Sequence, residues 1–208
     1  MLSRVKNFNN TIVRFVNGFK RLSKRTNTRL LRERGETLES FTIREATPED
    51  IPALAALHVM TWSDTYWNVK NPPTYQIREY QWHEQFKIAD GNWFCFVVEN
   101  QHGKLVGFAK GKSYTSNDLP DYSGELNKIY LLREYQRIGL GRRLVGYVAR
   151  RFLSQCINTM VLFGIPQNPS CAFHEALGGE KLFAKNGEFH GGYGWSDLQK
   201  LASICPVE

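Results

Sequence analysis

The spacing of apolar positions sorts residues 41–198 into strand-like and helix-like runs. Phe41 to Ala46 reads as a first strand. Thr47-Pro48-Glu49-Asp50 reads as a helix start, with Thr47 as cap, Pro48 at the first helical position and Asp50 where a capping box prefers Glu or Gln. Ile51, Leu54, Ala55, Leu57 and His58 continue one face of that helix. After an aromatic-rich stretch, Trp93–Glu99 and Lys104–Lys112 form a hairpin about the turn Asn100-Gln101-His102-Gly103. Glu125–Leu132 is a fourth strand and Thr159–Ile165 a fifth, separated by a helical repeat at Leu144, Val145, Val148, Phe152 and Leu153. Glu180–Ala184 and Tyr193–Leu198 complete the strands, with Asn186-Gly187 and Gly191-Gly192 as breakers.

Between the fourth strand and its helix stands Gln136-Arg137-Ile138-Gly139-Leu140-Gly141. A strand-to-helix junction presents unpaired N–H groups and the positive end of the helix dipole, and glycine admits an oxyanion close to the main chain. The dipole contributes only about 0.3–1 kcal/mol when exposed, so N–H bonds and Arg137, Arg142 and Arg143 must carry most of any anion affinity. A glycine turn with a solvated basic helix start accounts for a lone GxG equally well. The loop is not a P-loop, since Arg142-Arg143-Leu144 replaces Lys and Ser/Thr, and it is not a dinucleotide fingerprint, since Leu144 holds the third glycine's place.

Gln136, Gly139 and Gly141 resemble the pyrophosphate loop of the GCN5-related N-acetyltransferases (GNAT), and the resemblance runs from about Phe41 to Leu198, roughly three quarters of the chain. Asn168-Pro169-Ser170-Cys171-Ala172-Phe173-His174-Glu175-Ala176-Leu177-Gly178-Gly179 is similar to the family's following helix, with His174 in the place of its usual Tyr. The resemblance implies an α/β fold: a mixed, mostly antiparallel sheet of about seven strands flanked by helices, with strands four and five splayed apart. It further implies acetyl-CoA as acyl donor, with pantetheine in the gap on the main chain of Ile129, Tyr130 and Leu131. Gln136, Arg137, Ile138, Gly139, Leu140, Gly141 and Arg142 would hold the phosphates, and Asn168 would complete the cofactor set. A bulge in strand four would turn an N–H toward the thioester carbonyl.

An alkylammonium, with a pKa of about 10.4, must lose a proton before it attacks. Glu125 is the candidate base, at the family's spacing before Gln136, and alternation places Asn127 on its face to orient water or substrate. An edge carboxylate paired with Lys or Arg is the plainer account of Glu125. His174 is the candidate acid for the departing thiolate, with Tyr130 and Tyr135 as substitutes. The resemblance further implies that the region of Trp62, Tyr66 and Trp67, with Tyr75, Tyr80, Trp82 and His83 beyond them, roofs the acceptor pocket, and aromatic walls suit a cation or an apolar group, though core packing accounts for such residues as well. The expected reaction moves an acetyl group to a primary amine, a small molecule or polyamine rather than a protein N-terminus, by direct attack in a ternary complex. The alternative is a slow or non-catalytic acyl-CoA-binding sensor.

Residues 1–32 hold nine Lys or Arg and no acid, which leaves 18 basic and 20 acidic side chains in residues 33–208, a net −2. The overall +7 therefore belongs to the N-terminal arm and does not imply nucleic-acid binding by the domain. Val5, Phe8, Ile12, Phe15, Val16, Phe19 and Leu22 recur at helical steps among cations, an amphipathic pattern without a membrane-spanning apolar stretch. Membrane-surface contact through residues 1–25, organelle targeting and packing on the domain or a second subunit are all open. The expected organisation is an extension over 1–40, a catalytic domain over 41–200 and a tail over 201–208, as monomer or homodimer. Cys95, Cys156, Cys171 and Cys205 lack metal or redox spacing, which suits a cytoplasmic chain, and His83, His102, His174 and His190 are too scattered for a metal site.

Overall fold

The computed structural model describes residues 27–65 and 70–207. Its strands are β1 (Thr42–Glu45), β2 (Trp93–Glu99), β3 (Leu105–Ser113), β4 (Gly124–Leu131), β5 (Met160–Phe163), β6 (Glu180–Phe183) and β7 (Phe189–Trp195). They form one mixed sheet in the order β1-β2-β3-β4-β5-β7-β6, in which only β4 and β5 are parallel. The helices are α1 (27–33), α2 (Ile51–Thr65), α3 (Tyr75–Lys87), α4 (Leu140–Ser154), α5 (Cys171–Ala176) and α6 (Leu198–Ile204). None of the described helices is long and apolar enough to cross a membrane.

The two faces of the sheet are covered by different helices. Phe94 on β2 packs edge-on against Phe152 of α4, their ring centroids 5.0 Å apart. Its neighbour Trp93 points the other way, to Phe86 of α3 at 5.1 Å. Phe108 of β3 and Tyr130 of β4 meet His58 of α2 on that same second face. The period-two alternation thus divides each central strand between two apolar layers, and Leu54, Leu144, Val148, Phe152 and Phe108 have no exposed surface.

The entry to α2 follows the sequence reading. Asp50 accepts the Thr47 N–H at 2.9 Å, and Arg44 of β1 grips the same carboxylate with two donors at 2.7 and 2.8 Å. Arg44 holds the Asp50 carboxyl below the usual carboxylate range, so strand and helix are locked together. The aromatic stretch read as a pocket roof is largely helical: Thr74 caps α3 by accepting from Ile77 N at 3.3 Å, and within α3 only Trp82 is buried. Tyr and Trp are middling helix formers, and the helix has no clear apolar stripe, so its periodicity was not legible. Gly191 and Gly192, read as breakers, lie inside β7.

Segments at both ends of the described residues pack against the sheet and its helices. Asn27 and Leu31 of α1 are buried, and Leu31 joins the hydrophobic core. α6 crosses residue 200, buries Leu198, Leu201 and Ala202, and is tied to α4 by Arg150, which donates to Cys205 O and Ala202 O at 2.9 Å each. Residues 1–25, with their amphipathic pattern, lie outside the described residues.

Candidate active site

Two features of the fold open the middle of the sheet. β4 and β5 pair only through Gly124 with Met160 and Glu125 with Val161. Beyond Glu125, β4 pairs with β3 alone among the described residues, so Ile129, Tyr130 and Leu131 have no described strand on their β5 side. A strand edge left this way offers N–H and C=O groups to an extended ligand. The pairing of β3 with β4 also shifts register, Lys110 facing Lys128 but Gly111 facing Leu126, which leaves Asn127 as a bulge just before the open edge.

The second feature is the loop from Gln136 to Gly141. Gln136 Nε2 donates to Leu131 O at 2.9 Å, tying the loop to the end of β4. Arg137 and Gly139 adopt left-handed conformations, φ 65° and 109°, which turn the chain into α4. The N–H groups of Leu140, Gly141 and Arg142 in the first turn have no intrahelical acceptor. A Cβ at Gly141 would lie 3.3 Å from Phe173 Cζ, so a glycine keeps this passage open between α4 and α5. Ile138 packs against the core. Arg137 and Arg142 are exposed beside the loop. Arg143 is not, contrary to its grouping with them: it donates to Leu38 O at 2.6 Å and Val207 O at 3.2 Å.

The loop is braced from behind by a residue that its sequence context did not mark. Asn27 of α1, 5% exposed, donates through Nδ2 to Arg133 O at 2.8 Å and Gln136 O at 2.9 Å. Arg34 donates to Tyr135 Oη at 3.1 Å, and Tyr135 is buried edge-on against Phe41. Tyr135 therefore serves the scaffold and not the proton-donor role considered for it.

Glu125 and Asn127 do come together. Asn127 Nδ2 donates to Glu125 Oε1 at 2.6 Å, Lys128 Nζ donates to Asn127 Oδ1 at 2.9 Å, and Lys112 Nζ sits 3.0 Å from Glu125 Oε2. Because the bulge places Asn127 and Lys128 on one side, all four groups share the α2/α3 face of the sheet. Tyr130 lies on this face, 5.5 Å from the ring of His58 between centroids. His58 is buried with its Nδ1 unpartnered among the described residues, and burial pushes its pKa down to about 3.

His174 does not match the expected acid. It is buried among Phe173, Tyr193 and Trp195, its Nδ1 has no hydrogen-bond partner among the described residues, and burial pushes its pKa down to about 4. At neutral pH it is an uncharged packing residue and not an imidazolium donor. Asn168 uses Oδ1 to accept Ser170 N at 2.9 Å and its carbonyl to accept Cys171 N at 3.0 Å, which shapes the entrance to α5. Trp62 is half-buried on α2, while Tyr66 and Trp67 lie outside the described residues.

Sequence reasoning passed over Lys110, Lys112, Lys128 and Arg78. A signal was present: Lys110 and Lys112 stand two apart in an otherwise apolar strand and so must share a face.

The chain is similar to known proteins in sequence and in fold. Residues 55–179 match the Acetyltransferase (GNAT) family. The chain is 34% identical over 174 residues to the uncharacterized N-acetyltransferase YuaI of Bacillus subtilis (strain 168), covering 78% of this chain and 97% of that one. It is 27% identical over 161 residues to the phosphinothricin N-acetyltransferase of Streptomyces viridochromogenes, covering 75% and 83%. The PaiA N-acetyltransferase of Thermoplasma acidophilum, solved in complex with coenzyme A, superposes with a TM-score of 0.57 at 18% identity, covering 74% of this chain and 98% of that one. With its parallel β4/β5 pair opening toward a glycine loop, this chain belongs to the GNAT family of acetyltransferases.

Proposed function

We propose that the protein transfers the acetyl group of acetyl-CoA to the primary amine of a small molecule, by direct attack within a ternary complex. The observation that carries this reading is the continuity of the open β4 edge with the Gln136–Gly141 loop. Pantetheine pairs along Ile129–Leu131, while the pyrophosphate takes the N–H groups of Leu140, Gly141 and Arg142, with Arg137 and Arg142 at its flanks. The Asn127 bulge lies next to that edge, where a main-chain N–H can meet the oxygen of the thioester as it gains charge.

Glu125 stands at the strand-pairing end of the opening and accepts the amine proton, directly or through one water, with Asn127 holding its carboxylate in place. The amine nitrogen bonds to the acetyl carbon, the carbon–sulfur bond breaks, and CoA leaves as a thiolate. A thiol pKa of about 8.5 lets solvent water protonate it, so the transfer does not require His174.

The test is release of free thiol from acetyl-CoA by the purified chain against amino acids, aminoalkylphosphonates, polyamines, aminoglycosides and arylamines. Release that depends on one acceptor class supports the reading. Tight acetyl-CoA binding with no release for any of them counts against it.

A further inference from the structure

The face that carries Glu125 has an excess of positive charge. Lys110 and Lys112 rise from β3, Lys128 from β4 and Arg78 from α3, and the charges of Arg78, Lys110 and Lys128 all act on His58 between them. Among the described residues, the Glu125 carboxylate is paired with Lys112 and bonded to Asn127, and no carboxylate lies within 4.0 Å of Arg78, Lys110 or Lys128. Lys110 is 8% exposed and, among the described residues, has the Gln85 carboxamide and the Trp93 ring as partners. Arg78 spends one donor on Gln81 Oε1 at 2.8 Å, and its buried Nε has no partner among the described residues.

Cations withdrawn from water with too little counter-charge are costly: Glu125 favours the charged forms of Lys110 and Lys128, yet burial and the neighbouring cations outweigh it. Burial, with the charge of Lys128, pushes the Lys110 pKa down to about 8, and burial with the charge of Arg78 lowers that of Lys128. A polyamine would bring still more positive charge to this surface. An anion would relieve it.

We propose that the acceptor is an amine that also carries a carboxylate, phosphonate or phosphate group, with the oxyanion held by Lys128 and Arg78 while the amine faces Glu125. This deepens the acetyltransferase reading and rests on it for the amine. Lys112 keeps Glu125 in place, leaving Lys128, Arg78 and Lys110 as the groups whose charge the ligand completes.

The experiment is calorimetric titration of the CoA-loaded full chain with four probes: 3-aminopropylphosphonate, β-alanine, β-alaninamide and spermidine. The expected result is that the two anionic amines bind at least tenfold more tightly than the amide or spermidine, with the preference shrinking as salt rises. Lys128→Gln and Arg78→Gln should each abolish the preference, and Lys128→Arg and Arg78→Lys should retain it. Equal or tighter binding of the amide or spermidine overturns the proposal, as does failure of all four to bind. The salt series on the unmodified chain decides the matter if a variant does not fold. Thiol release assayed with the same probes separates the two readings. A calorimetric preference without release sinks the transferase assignment alone, and release without anionic preference sinks this one alone.

Discussion

Replacing Asn27 by Ala removes a side chain that touches neither the glycines nor the open strand edge, yet it should weaken acetyl-CoA binding. Asn27 Nδ2 donates at 2.8 and 2.9 Å to the carbonyls of Arg133 and Gln136, the two residues that bracket the turn into the loop. Each bond contributes about 0.5–1.5 kcal/mol net, and stranding a buried carbonyl costs toward the upper end, so the pair is worth roughly 1–3 kcal/mol. For a domain of this size that corresponds to a fall in Tm of about 4–8 °C at 2 kcal/mol. If half of the loss falls on the loop's binding-ready conformer, apparent affinity drops by roughly fivefold, since about 1.4 kcal/mol is tenfold. Isothermal titration of the variant with acetyl-CoA, beside thermal unfolding with and without the ligand, measures both quantities. The expected pattern is a lower Tm, only partly recovered by saturating ligand, and a weaker Kd. A variant with unchanged Kd and a Tm within about 1 °C would show that α1 does not brace the loop.

Further outcomes follow from the same geometry. Gly139→Glu should abolish measurable acetyl-CoA binding, because a side chain at φ 109° is strained and its carboxylate would repel the pyrophosphate; equilibrium dialysis would register it. Glu125→Gln should lower turnover by on the order of 10²-fold or more with cofactor affinity nearly intact, the loss being greatest below the acceptor's pKa, and a pH–rate profile like that of the parent would remove Glu125 from the base role. His174→Phe should leave the pH–rate profile near neutrality unchanged, since His174 is already uncharged there; a collapse in rate with the fold intact would restore it as a proton donor. His58 and His174 have folded pKa values of about 3 and about 4, well below the unfolded value of about 6.5. The unfolded chain thus binds more protons below that value, so stability should be fully present above about pH 6.5 and be lost as pH falls toward 4. His174 alone should contribute roughly 3 kcal/mol to that loss, and His174→Phe should flatten the acid side of a urea-denaturation series.

Much of this protein was written in local pattern. Strands such as Trp93–Glu99 announce themselves because consecutive side chains alternate between two buried layers, and the Thr47–Asp50 box marks its helix by hydrogen bonds that span three residues. The glycine loop is legible for a related reason: left-handed backbone at a helix entrance admits few residue types, so Gly139 shows in the sequence itself. What escaped was set by residues distant along the chain. Asn27 finds its acceptors 106 and 109 positions away, and no periodicity links them. His174 occupied the place of a proton donor by resemblance, but its protonation is governed by Phe173, Tyr193 and Trp195, and burial among those rings keeps it neutral. The excess charge beside Glu125 exists only once β3, β4 and α3 bring Lys110, Lys128 and Arg78 to one face. Sequence determines which backbone conformations and hydrogen-bonding groups are on offer. Tertiary packing alone decides their solvation and their neighbours, and therefore which of them carry charge where chemistry can use it.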